Sequence, residues 1–219
     1  MTPLSVVFYT LATVASLVVI VCLFCIYRNY RYGDRQQWRE FWRKRLAWLK
    51  PDYIINSLPQ LDIVRLSHYG SIYLILDLDN TLCYPGSEEI DPNVVDMIRT
   101  ARIRGLIGGV VILSNIIFPS KKREGRVARV AQLLRAEYVC AVRPYTKPHP
   151  KAFLAAMAQL PGANKHNTVV VGDQIFTDIR GARRSGIRSV LVRPLGRDAV
   201  YIAYKRWLEG IVFRLTKWR

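Results

Sequence analysis

Residues 74–81, Leu-Ile-Leu-Asp-Leu-Asp-Asn-Thr, constrain this chain more than any other stretch, because an apolar strand there runs straight into two carboxylates one residue apart. Residues i and i+2 of a strand share a face. Asp77 and Asp79 can therefore both enter one crevice at the strand's carboxyl end, where open α/β sheets gather their chemistry. Like charges at that separation raise one another's pKa and call for a shared proton or a cation. A hard, oxygen-seeking ion such as Mg2+ answers that need. The plain alternative is a strand that ends in an Asp-rich turn, and the rest of the chain has to decide between the two.

The surrounding pattern favours a site. After Tyr73 short apolar runs alternate with helical stretches, which is how a parallel sheet with crossover helices reads. Strands are expected at 72–77, 109–114, 137–142, 168–172 and 188–192. Helices are expected at 91–104, 122–135, 150–159, 176–185 and 197–217. The second strand ends in Ser114-Asn115, a hydroxyl and amides suited to phosphate oxygens. Lys147 precedes a helix and can offset a phosphate and the acids, with Arg143 in the same loop as the competing cation. The fourth strand runs into Gly172-Asp173 and, after four residues, Asp178, which delivers a second pair of acids.

That order of residues resembles the haloacid dehalogenase (HAD) superfamily, whose four motifs match Asp77/Asp79, Ser114, Lys147 and Asp173/Asp178. The runs 76–82, 113–115, 147–153 and 171–178, with Pro51-Asp52-Tyr53 ahead of them, are similar to subfamily IIIA and its phosphatidylglycerophosphate phosphatase branch. The resemblance covers roughly residues 49–216. It implies a Rossmannoid three-layer α/β fold with a central parallel sheet. It also implies a phosphoric monoester hydrolase in which Asp77 is the nucleophile and Asp79 the general acid and base. The implied Mg2+ is held by Asp77, Asp79 through its backbone carbonyl and Asp173, with Asp178 binding it directly or standing just behind its ligands. Asn80, Thr81, Ser114, Asn115 and Lys147 are the implied phosphate-binding residues. The intervals Asp79–Ser114 and Ser114–Lys147 hold little beyond one helix and one strand each, so no cap domain is expected over the site. An open site suits a phosphate carried on something large.

Charge bears on what that carrier is. Lys and Arg number 33 against 16 Asp and Glu, a formal net charge of +17, so anionic partners are expected. The four cysteines lack the spacing of a secreted disulfide framework. Leu4–Tyr27 carries no charge and is long enough for a membrane-spanning helix, and the basic bias from Arg28 to Lys50 puts the chain beyond residue 27 in the cytoplasm. The expected organisation is an anchor over 1–28, a basic amphipathic juxtamembrane helix over 29–50 and a phosphatase domain over 51–219. Trp38, Phe41, Trp42, Leu46 and Leu49 recur at helical spacing in the second of these. They suit either a membrane surface or packing on the domain.

The expected substrate is an anionic phospholipid, phosphatidylglycerophosphate going to phosphatidylglycerol. The alternatives are a tethered phosphatase acting on a phosphoprotein or nucleotide, and a non-catalytic binding module. Nucleic acid is not an expected partner, because no recognised reader motif accompanies the basic charge.

Overall fold

The computed structural model describes residues 35–68, 70–116, 120–197, 200–216 and 218. The described chain divides into two compact units, one ending at Ala47 and joined by 215–217, the other spanning Trp48–Arg214 with 218–219. In the first unit α1, Arg35–Arg45, sets the Phe41 and Trp42 rings edge to face at 5.5 Å, with the Arg45 guanidinium 4.5 Å from the Phe41 ring centre.

The second unit is built on six strands: β1 Tyr53–Ile55, β2 Ile72–Leu76, β3 Ile107–Asn115, β4 Glu137–Ala141, β5 Thr168–Gly172 and β6 Arg188–Val192. All pair in parallel, in the order β1-β6-β5-β2-β3-β4. The helices are α2 Ile63–Leu66, α3 Pro92–Ile103, α4 Lys121–Leu133, α5 Pro150–Ala158, α6 Arg180–Ser185 and α7 Val200–Thr216, with a π-helical turn at Ile175–Ile179 leading into α6.

Both faces of the central strands are apolar, as a parallel sheet between helices requires. On one face Leu74, Leu76, Ile112 and Val171 pack with Val94 and Ile98 of α3 and Val127 and Val130 of α4. On the other, Ile75, Val111, Leu113 and Val170 pack with Phe153 and Ala156 of α5 and Ala182 of α6. Local chemistry starts the helices where the crossovers need them. Asp91 accepts from the Asn93 amide ahead of Pro92, Ser120 caps α4, and His149 caps α5 ahead of Pro150.

The chain passes from β2 through α3 to β3 on one side, and later returns through α5 to β5 on the other side of β2. The crevice at that reversal lies outside the carboxyl ends of β2, β3 and β5, where an open α/β sheet places its ligand. Each connection after β2 and after β3 holds a loop and one helix, and among the described residues no domain is inserted in either.

Between residues 50 and 72, where no element is expected above, the chain forms a sheet strand, β1, and a short helix, α2. Asp52 secures β1 by accepting from both the amide (2.8 Å) and the hydroxyl (3.1 Å) of Ser189 in β6.

The expectation of a single-pass membrane protein with a cytoplasmic catalytic domain is corrected. Among the described residues no helix is long and apolar enough to cross a membrane. A span needs about 20 mainly apolar residues, whereas α7, at 17 residues, carries Lys205, Arg206, Glu209 and Arg214. The run Leu4–Tyr27 lies outside the described residues, as does Trp38's side chain.

Candidate active site

β2 and β5 are neighbours at the middle of the sheet, paired through Leu76 and Val171, and the Asp77 amide continues the ladder by donating to the Val171 carbonyl at 2.9 Å. That register brings Asp77 beside Gly172-Asp173. Gly172 permits the close approach of Asp178, since a Cβ on it would run into that side chain. The π-helical turn carries Asp178 back over the strand end, its Oδ2 accepting from the Gln174 amide and the Thr177 hydroxyl, each at 3.2 Å. Asp77, Asp173 and Asp178 thus each offer an oxygen within 4.8 Å of the others.

Lys147 answers part of this charge. It is buried, ion-paired to Asp77 and 2.8 Å from Asp178 Oδ1. Asn115 holds it there: its side-chain carbonyl accepts from the Lys147 amide at 2.8 Å, and its side-chain amide donates to the Lys147 carbonyl at 3.2 Å. Arg143 is exposed, so Lys147 is the cation of this loop that enters the site.

Two guanidinium groups from helices also reach these acids. Arg206, from α7, is ion-paired to Asp173 Oδ2 and to Glu209 Oε2 at 2.9 Å, and Glu209 Oε1 accepts from the Ile175 amide at 2.6 Å. Arg126, from α4, reaches Asp79 Oδ1 at 2.8 Å and also donates to the Ser87 carbonyl. Helix α4 thus turns one of its guanidinium groups onto the acid at the mouth.

The electrostatics follow from burial. Burial pushes the Asp77 carboxyl up, Lys147 pulls it back and Asp178 adds to the rise, leaving it at about 6. Asp173 is pushed up to about 8 by burial and then by Asp77, against the pull of Arg206. Burial depresses the Lys147 ammonium, yet Asp178 and Asp77 outweigh it and leave that pKa raised. Among the described residues, four carboxylates, counting Glu209, face the two cations Lys147 and Arg206, so the cluster is short of positive charge. Asp173 Oδ1 is buried and has no hydrogen-bond partner. An orphaned carboxylate oxygen among acids this close fits a divalent cation bound by oxygen.

The other expected residues fall around this centre. Asp79 is half-exposed at the mouth, outside the group whose oxygens converge, and also accepts from the Gly86 amide at 3.2 Å. Asn80 takes a positive φ of 64°, which Asn tolerates, and its bonds shape the loop. Its amide donates to the Cys83 carbonyl (2.8 Å), and its side-chain oxygen accepts from the Gly196 amide (3.0 Å). Thr81 is buried with its hydroxyl unpartnered, and Ser114 is buried at the end of β3.

This chain is similar to several known proteins. A model of HAD-hydrolase-like proteins matches residues 144–196, which include Lys147, Asp173 and Asp178. Probable phosphatase YqeG of Bacillus subtilis is 28% identical over 168 residues, covering 76% of this chain and 91% of that protein. The phospholysine phosphohistidine inorganic pyrophosphate phosphatase of Xenopus laevis is 37% identical over 76 residues, 33% of this chain and 28% of that protein. Among solved structures, an uncharacterized protein from Listeria monocytogenes serotype 4b aligns over 59% of this chain and 84% of that one, at 18% identity and a TM-score of 0.44. The family model falls on the lysine and two of the acids and the YqeG match spans most of the chain, so this chain is similar in sequence to HAD-hydrolase-like proteins and to a probable phosphatase.

Proposed function

We propose that this chain is a Mg2+-dependent phosphatase that passes a phosphoryl group through Asp77, and that its substrate is a lipid phosphate monoester, phosphatidylglycerophosphate in the first instance. The observation that carries the reading is the convergence of Asp77, Asp173 and Asp178 on one point with Lys147 locked between two of them. A Mg2+ ion held by Asp77, Asp173 and Asp178, with the Asp79 carbonyl, would supply charge that offsets the meeting of a phosphate with these acids. Asp77 attacks phosphorus, splitting a hard hydrolysis into two easier steps. Lys147, oriented through Asn115, balances charge on the transferring group. Ser114 and Thr81 are the hydroxyls for its oxygens, and Asn80 and Asn115 keep their loops in place.

Asp79 gives a proton to the leaving oxygen and then takes one from water, with Arg126 tethering its carboxylate at the mouth. The lipid part of the reading is supported by the two uncapped connections, the net charge of +17 and the resemblance of the motif runs. The match to a phospholysine and phosphohistidine phosphatase favours a second reading, a phosphorylated protein side chain as substrate.

The test is phosphate release from a panel of phosphatidylglycerophosphate, other lipid monophosphates, phosphohistidine and phospholysine peptides and nucleotides, with and without Mg2+. Preference for the lipid by tenfold or more, lost without Mg2+, is the expected result. Preference for a phosphopeptide would move the assignment to the second reading, and no release from any of them would overturn the enzyme.

A further inference from the structure

Each carboxylate of the acidic centre already has oxygens committed. Asp77 gives Oδ1 to Lys147. Asp178 gives Oδ1 to Lys147 and Oδ2 to Gln174 and Thr177. Asp173 gives Oδ2 to Arg206, which also donates to the Asp173 backbone carbonyl, so one guanidinium grips the same residue at two atoms. What remains on Asp173 is Oδ1, in a side chain with no solvent exposure and with no partner for that oxygen. Arg206 is steadied in turn by Glu209, whose other oxygen is fixed by the Ile175 amide at the start of the π-helical turn.

This arrangement bears on which ion the centre accepts. Mg2+ is small, demands near-octahedral geometry at short distances and keeps waters in it, which leaves little room for both oxygens of one carboxylate. Ca2+ takes more oxygens at longer distances and readily accepts both from one carboxylate. We propose that Arg206 is a metal-selectivity residue: by occupying Asp173 Oδ2 it limits Asp173 to single-oxygen coordination through Oδ1 and so favours Mg2+ over Ca2+. The inference rests on the reading of the acidic centre as a metal site. It adds that the C-terminal helix, and not only the strand ends, sets the properties of that site. A partner of this kind, bonded to a ligating carboxylate, typically changes metal affinity by about 10–100-fold when removed.

The test is calorimetric titration of the full chain with Mg2+ and, separately, Ca2+, for the wild type, Arg206→Met, Arg206→Lys and Glu209→Gln, with folding checked by circular dichroism. Arg206→Met is expected to weaken Mg2+ by about 10–100-fold and Ca2+ by much less, so that the ratio of the two affinities falls by about the same factor. Arg206→Lys, which keeps the charge but not the two-pronged grip, should fall between it and the wild type. Should Arg206→Met fail to fold, Glu209→Gln carries the test. It keeps an acceptor for the Ile175 amide while loosening Arg206, and the affinity ratio should move the same way by a smaller factor.

Equal loss of both ions would reduce Arg206 to general support and overturn the inference. Tighter Mg2+ binding by Arg206→Met would also overturn it, since Arg206 would then compete with the ion. A wild-type chain that binds neither ion would overturn the metal-site reading itself, whereas selective wild-type binding that survives in the variants would overturn the inference alone.

Discussion

Lys147 sits between two acids that would otherwise repel, and its ammonium is almost wholly buried. Replacing it with Met keeps most of the length of the side chain and removes both ion pairs, which leaves Asp77 and Asp178 uncompensated. Breaking a buried pair from one side typically costs about 3–5 kcal/mol. Urea denaturation of Lys147→Met at pH 7.5 without Mg2+ should show a loss of that order. A loss under 1 kcal/mol would mean that the acids are better solvated than their burial implies.

The same centre predicts a pH dependence. Asp77 and Asp173 rise from the ordinary 3.8 to about 6 and about 8 on folding, so the folded chain holds more protons than the unfolded one across that interval. By linkage the metal-free protein should therefore lose stability as pH rises from 4 through 8, and the loss should level off above the higher value. Denaturation midpoints measured at pH 5, 6.5 and 8 in chelator should fall in that order, and saturating Mg2+ should flatten the trend. A metal-free midpoint that rises with pH would contradict the raised values.

At the scale of the elements, much of the architecture could be read in advance where a strand is long and buried on both faces. Thr168–Gly172 and Arg188–Val192 are built on the apolar runs Val169–Val171 and Val190–Val192 and lie at the expected bounds. β1 was not legible, because a three-residue edge strand has no period of its own and depends on β6, far along the chain. Asp52 makes that pairing, and Asp52→Ala should destabilise the fold by about 1–3 kcal/mol by leaving the Ser189 amide and hydroxyl without it. Thermal denaturation checks this, and an unchanged midpoint would show that the β1 edge contributes nothing.

The acids and the lysine were legible because each lies within a few residues of a strand end or a helix start. Arg206 and Glu209 were not, since the helical period of the last segment draws attention to Tyr204 and Trp207, which are exposed, and away from the charged face that meets Asp173. Arg126 likewise reads as one more cation in a basic helix until α4 is folded against the loop that carries Asp79.

For the whole molecule, the claim is that three strand ends, one helix-capped loop and one C-terminal helix meet to move a phosphoryl group through Asp77. Two neighbouring acids then have separable duties. Asp77→Asn removes the nucleophile and should abolish turnover, whereas Asp79→Asn should lose proton transfer, a contribution typically worth about 10²–10⁴-fold. The Asp79→Asn loss should be smaller on p-nitrophenyl phosphate, whose leaving group departs with little protonation. The phosphorylated enzyme should then accumulate, because its hydrolysis also needs Asp79. The most direct test is acid quenching of the wild type, Asp77→Asn and Asp79→Asn during turnover of p-nitrophenyl phosphate with Mg2+, with mass spectrometry of the peptide that carries residues 74–81. The expected result is phosphate on Asp77, more of it in Asp79→Asn than in the wild type and none in Asp77→Asn. Phosphate on any other residue, or wild-type turnover by Asp77→Asn, would contradict a phosphoryl transfer through Asp77.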